Sequence, residues 1–119
     1  MALSSRVLVE AVARAAAEAK GSDILVLDIQ NLTVVSDYFV LVSGRSTTHV
    51  KACAEHIREQ LHDELGVKAL RVEGFREGHW VLLDYGDVVI HVFLESERAF
   101  YNLERLWGDA PVVELPVTV

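Results

Sequence analysis

From Leu8 onward, the apolar residues Ala11, Val12, Ala15, Ala16 and Ala19 recur at the spacing of one helix face. Ser4 or Ser5 can cap the start of this helix and Gly21 can end it. Its stripe is mostly alanine, which lets the helix lie close to a sheet. Ile24 to Ile29 is a nearly continuous apolar run broken only by Asp28, the pattern of a strand covered on both faces. Tyr38 to Val42, rich in aromatic and β-branched residues, predicts a second strand. Ser43-Gly44-Arg45-Ser46-Thr47 then supplies a turn and a cap. Val50, Cys53, Ala54, Ile57, Leu61 and Leu65 predict a second helix, ended by Gly66. Val67 to Val72 reads as a third strand, Gly74 to Gly78 as a loop and Trp80 to Asp84 as a fourth strand. Gly86-Asp87 closes a hairpin onto a fifth, Val88 to Phe93. Ser96, flanked by Glu95 and Glu97, suits the start of a last helix carrying Ala99, Phe100, Leu103, Leu106 and Trp107. Beyond Gly108, two prolines mark an irregular tail.

This order predicts an α/β (α+β) domain with a mixed sheet of about five strands. At 119 residues there is room for one such domain, placed over residues 1–110, with residues 111–119 as a C-terminal tail. Hydrophobic residues at 51% and charged residues at 24% supply a packed core and exclude a disordered chain.

The formal charge of −7 argues against direct nucleic-acid binding as the main mode, because that needs clustered Lys and Arg to neutralise phosphates. A basic protein surface is the better match. The single cysteine excludes an intrachain disulfide. No apolar run approaches the roughly 20 residues of a membrane span, and no basic region with an apolar signal core opens the chain. A cytoplasmic location is expected, without membrane contact.

A two-residue turn at Gly86-Asp87 pairs Tyr85 with Val88, Asp84 with Val89, Leu83 with Ile90, Leu82 with His91, Val81 with Val92 and Trp80 with Phe93. One face of the hairpin then carries Val81, Leu83, Tyr85, Val88, Ile90 and Val92, the core side under the helices. The other carries Trp80, Leu82, Asp84, Val89, His91 and Phe93. Large apolar groups mixed with an acid and a mid-strand histidine make a poor dry core, since buried ionisable groups need partners. The mixture fits an interaction surface. The competing reading packs Trp80 and Phe93 under the C-terminal helix or tail, with Asp84 holding the turn.

Five histidines, His49, His56, His62, His79 and His91, raise a metal site, but none has the spacing of a helical zinc site beside further ligands. No metal or cofactor is expected. Cys53 lies on the apolar stripe of the second helix and reads as core, not nucleophile. Ser43-Gly44-Arg45-Ser46 is a turn of the kind that holds phosphates at a helix N-terminus. It lacks a P-loop lysine, and no strand with paired carboxylates follows to hold catalytic metals. Asp84 and Asp87 flank a hairpin turn and do not replace that pair. The chain is therefore expected not to be an enzyme.

Several segments together carry a family resemblance: Ser36-Asp37-Tyr38-Phe39-Val40, Ser43-Gly44-Arg45-Ser46, Glu73-Gly74, the block from Trp80 to Phe93, Arg98, Phe100-Tyr101 and Leu103-Glu104-Arg105-Leu106-Trp107. Over roughly residues 4–110 the chain resembles the ribosomal silencing factor (Iojap) family. The hairpin block is the specific part. The resemblance implies a nucleotidyltransferase-like fold lacking catalytic carboxylates, which agrees with their absence from the motifs above. It implies binding to the large ribosomal subunit through its ribosomal protein fourteen, obstruction of small-subunit joining and repression of translation under nutrient limitation. A homodimer is a further implied state. On this reading the partner-binding residues are Trp80, Leu82, Asp84, Tyr85, Asp87 and His91. The alternatives are a catalytic nucleotidyltransferase relative and a dimeric interaction module using the same face.

Overall fold

The computed structural model describes residues 4–31, 36–96 and 113. Helix α1 spans Ser5–Glu18, with the Ser4 hydroxyl as N-cap accepting from the Arg6 amide at 3.2 Å. Its inward side buries Leu8, Val9, Val12 and a set of alanines. Helix α2 spans Thr47–Leu65 between the N-cap Ser46 and Gly66, whose φ of 67° is the left-handed conformation that ends a helix.

Five strands follow the predicted order: β1 Ser22–Asp28, β2 Tyr38–Gly44, β3 Arg71–Glu73, β4 Trp80–Asp84 and β5 Val88–Leu94. They form one sheet in the order β1-β2-β5-β4-β3. The β2–β5 pair is parallel and the other three pairs are antiparallel. A parallel pair needs a long crossover, and here α2 with β3 and β4 supplies it. The mixed sheet and both described helices agree with the sequence reading. The hairpin register also agrees at each strand pair, from Trp80 opposite Phe93 to Asp84 opposite Val89, and the Tyr85 amide donates to the Val88 carbonyl at 2.9 Å.

One main core lies between the helices and one sheet face. Val9, Val12 and Ala16 of α1 meet Val50, Cys53, Ile57 and Leu61 of α2 over Val40, Val42, Val81, Leu83, Ile90 and Val92. The Arg14–Glu64 ion pair at 2.9 Å and the His56–Glu18 contact at 3.0 Å bridge the helices at their exposed rim.

The third strand is shorter than Val67–Val72. Only Arg71, Val72 and Glu73 stand opposite β4, while Val67 leaves the α2 cap and packs against the helix–sheet core. Its apolar character serves packing, not a ladder. The β3–β4 connection needs Gly74, with φ 76°, because a Cβ there would stand 2.0 Å from the Trp80 carbonyl oxygen. Glu95 and Ser96 are helical at the predicted start of the last helix; Ala99, Phe100, Leu103, Leu106 and Trp107 lie outside the described residues.

Candidate interaction face

Strand pairing sets the sheet face away from the helices in rows. Leu27, Phe39, Val89, Asp84 and Arg71 lie side by side across the sheet, and Leu25, Leu41, His91, Leu82 and Glu73 form the next row. Ser43, Phe93 and Trp80 form a third. The β1–β2 half of this face is a small second core: Leu27, Ile29, Leu41 and Phe93 are buried together, with Leu25, Phe39 and Trp80 packed against them. This corrects the expectation that the face is too polar for a dry core. The hairpin alone shows the polar members, whereas β1 and β2 bring the apolar ones alongside.

His91 shows how an ionisable group is accommodated there. It is 5% exposed, and burial pushes its pKa from 6.5 down to about 4, so the ring is neutral near pH 7. The Trp80 indole N–H, which can only donate, donates a hydrogen bond to His91 Nδ1 at 3.1 Å. That assigns the imidazole proton to Nε2. Among the described residues, Nε2 is a buried polar atom with no hydrogen-bond partner. Phe39 meets the ring edge-on at 4.9 Å, and Trp80 lies against Phe93 at 5.0 Å.

At the β3 end the face opens into a cleft of about 490 Å³ lined by Phe39, Leu82, Val89, His91, Asp84, Arg71 and neighbouring residues. Leu70, 76% exposed, stands at its rim. Arg71 contacts Glu73 at 3.3 Å and Asp84 at 3.5 Å. The other Asp84 carboxylate oxygen accepts from the Gly86 amide at 2.8 Å, an Asx-type hold on the turn. Asp84 thus both fixes the hairpin and gives the cleft a charged edge. Ser36 donates to the Gly86 carbonyl at 2.7 Å, and the Asp87 carbonyl accepts from the Asp37 and Tyr38 amides at 2.8 and 3.0 Å.

The six residues singled out from sequence fall into separate groups. Trp80, Leu82, Asp84 and His91 share the face with the cleft. His91 lies inside it and Trp80 is half-buried. Asp87 is exposed at the hairpin tip. Tyr85 points across the sheet, packing on the helix-side core and lining a polar pocket of about 400 Å³ with Glu55, Arg58, Glu59, His62 and Lys68. Burial raises its pKa, the Arg58 guanidinium lowers it and Glu55 raises it again. Sequence reasoning missed Phe39, Leu70 and Arg71. Alternation along β2 could have placed Phe39, but Arg71 required the register of β3. The packing of Trp80 and Phe93 under the last helix falls outside the described residues.

The Gly-Ser turn before α2 is already occupied by its own chain. The Arg45 amide donates to His49 Nδ1 at 3.0 Å, the His49 amide to the Ser46 hydroxyl at 3.1 Å, and His49 Nε2 meets the Ala19 carbonyl at 2.9 Å. Backbone amides that would cradle a phosphate are thus engaged. Cys53 is buried in the core, where burial pushes its thiol up to about 11, a poor nucleophile near neutral pH. Among the described residues, no group of three His, Cys, Asp or Glu is placed to hold a metal, and no helix is long and apolar enough to cross a membrane.

A family model described as ribosomal silencing factor during starvation matches residues 2–118. The chain is 43% identical over 113 residues to the ribosomal silencing factor RsfS of Bacillus subtilis, covering 95% of each. It is 36% identical over 104 residues to the chloroplastic protein Iojap of Zea mays, covering 87% of this chain and 45% of that one. A crystal structure of a protein from Chromobacterium violaceum superposes with a TM-score of 0.86 at 34% identity, covering 98% of this chain and 95% of that one. With the family model spanning residues 2–118 and the Bacillus subtilis relative matched over nearly its whole length, the chain belongs to the ribosomal silencing factor family.

Proposed function

We propose that the protein binds the large ribosomal subunit through ribosomal protein fourteen, using the face that carries Trp80, Leu82 and Asp84, and sterically blocks joining of the small subunit. Translation is thereby repressed when nutrients are limiting. The work is done by binding energy, with no turnover, in the cytoplasm. The observation that carries this reading is the juxtaposition, in a member of this family, of an apolar cleft with a half-buried tryptophan and a charged edge at Asp84 and Arg71. Partner surfaces favour aromatic anchors edged by polar groups. The charge of −7 suits a basic ribosomal protein. The engaged amides of the Gly-Ser turn support binding over nucleotidyl transfer.

Cosedimentation of the pure protein with isolated large subunits is the test. Saturable binding that prevents added small subunits from joining is the expected result. Failure to cosediment, or binding that leaves joining unaffected, overturns the proposal. Sedimentation of the free protein separates a homodimer that uses the same face, because large subunits would then dissociate it.

A further inference from the structure

His91 carries more hydrogen-bonding capacity than the described residues use. Its Nδ1 is taken by Trp80 and its Nε2–H has no partner among the described residues, although the ring is 5% exposed and lines the cleft beside Leu82, Val89 and Phe39. A buried donor left unpaired is unfavourable and rare. Packing alone gives no reason for it, since carbon rings fill the neighbouring positions at Phe39 and Phe93. The cleft's chemistry limits what could meet this donor. Arg71, the permanent cation in the described lining, is already engaged by Asp84 and Glu73, so among the described residues a phosphate or carboxylate would meet acids with no free cation beside them. The remaining wall is mostly apolar, with Leu70 exposed at the rim.

We propose that the cleft takes an apolar side chain of a protein partner together with a neutral acceptor, a backbone carbonyl or side-chain amide oxygen, to which the buried His91 Nε2–H donates once side chains of the cleft wall move aside on binding. The proposal rests on the large-subunit reading above and names the contact chemistry of that face. A nucleic-acid strand, which would present phosphate, does not fit. Because the ring stays neutral near pH 7, this donor seeks a polarised oxygen without full charge. His91 is then the residue that makes the face discriminate between partners of equal hydrophobicity, as a site built to donate rejects a group that cannot accept.

Two substitutions divide the ring's functions. His91→Asn keeps an acceptor near the Nδ1 position for Trp80 and removes the far donor, while His91→Gln keeps a donor near the Nε2 position and loses the near acceptor. Affinity for isolated large subunits, with thermal unfolding as a fold control, should fall about 3- to 10-fold in His91→Asn, the effect of one neutral hydrogen bond, and less in His91→Gln. If His91→Asn fails to fold, His91→Met against His91→Gln makes the same comparison, because each loses the acceptor for Trp80 and only the first removes the far donor. Equal affinity across either pair, or the reverse order, overturns the proposal. Wild-type protein that does not bind large subunits overturns the functional reading itself, so the two failures are told apart.

Discussion

Trp80 lies on Phe93 at 5.0 Å and donates its indole N–H hydrogen bond to His91, so its removal acts on the fold as well as on the surface. Trp80→Ala should lower stability by about 1–3 kcal/mol through lost packing. It should also weaken large-subunit binding by roughly 30- to 1,000-fold, the usual effect of losing a central aromatic anchor of about 2–4 kcal/mol. Val81, fully buried under the helices, separates these effects. Val81→Ala should cost about 1–3 kcal/mol in thermal or denaturant unfolding and leave the affinity of the folded fraction near wild type. If Val81→Ala proves the weaker binder in a stable fold, the faces are exchanged. His91 adds a pH dependence with a definite sign. Its folded pKa of about 4 lies below the ordinary 6.5, so in the lower range the unfolded chain binds the proton more readily. The stability from neutral His91 is fully present above pH 6.5 and is lost as pH falls toward 4. The unfolding temperature should drop across that window, and drop less in His91→Gln; parallel curves would exclude His91 as the source.

Between β4 and β5 the turn is held by side chains as much as by its own backbone. Asp84 accepts from the Gly86 amide, Ser36 donates to the Gly86 carbonyl, and the Asp87 carbonyl takes two amides from the start of β2. This ties the hairpin tip to a strand some 50 residues earlier in the chain. Asp84→Asn retains the acceptor for the Gly86 amide and weakens only the exposed contact with Arg71, so equilibrium unfolding should change by less than about 1 kcal/mol. Asp84→Ala loses the turn contact too and should cost about 1–2 kcal/mol. Equal losses in Asp84→Asn and Asp84→Ala would show that the Arg71 pair, not the turn contact, carries this residue's contribution. At Gly74 the constraint is steric, since any side chain meets the Trp80 carbonyl. Substitution there forces the backbone of the β3–β4 connection or of Trp80 to shift.

For the molecule as a whole, a charge of −7 sets how it meets a cationic partner. Complementary charges raise the association rate more than they slow dissociation, and screening reaches about 10 Å at 0.1 M salt. Affinity for large subunits should therefore fall as salt rises, chiefly through slower association. Rates unchanged between low and moderate salt would contradict an electrostatic approach. Val113 donates to the Val26 carbonyl at 2.8 Å and packs against the main core, so a described residue of the C-terminal segment meets the outer side of β1.

How much of this was legible in the chain depends on the range of the interactions involved. Alternating and helical apolar periods fixed both described helices, four strands closely and the hairpin register, because these follow from local sterics and from a turn of two residues. The resemblance in the hairpin block marked the family. Val67–Val72 misled because an apolar run looks the same whether it pairs or merely packs; only the length of β4 opposite it limits β3 to Arg71–Glu73. The character of the second face was hidden for the same reason. From the hairpin, His91 and Asp84 look too polar to bury, yet the parallel neighbour β2 sets Leu41 beside His91 and Phe39 beside Val89, and that pairing joins residues some 50 positions apart. Burial then makes His91 neutral and Trp80 selects its tautomer. Sequence determined which residues face which side of each element; the order of strands in the sheet decided which of them meet, and so which polar atom is left without a partner among the described residues.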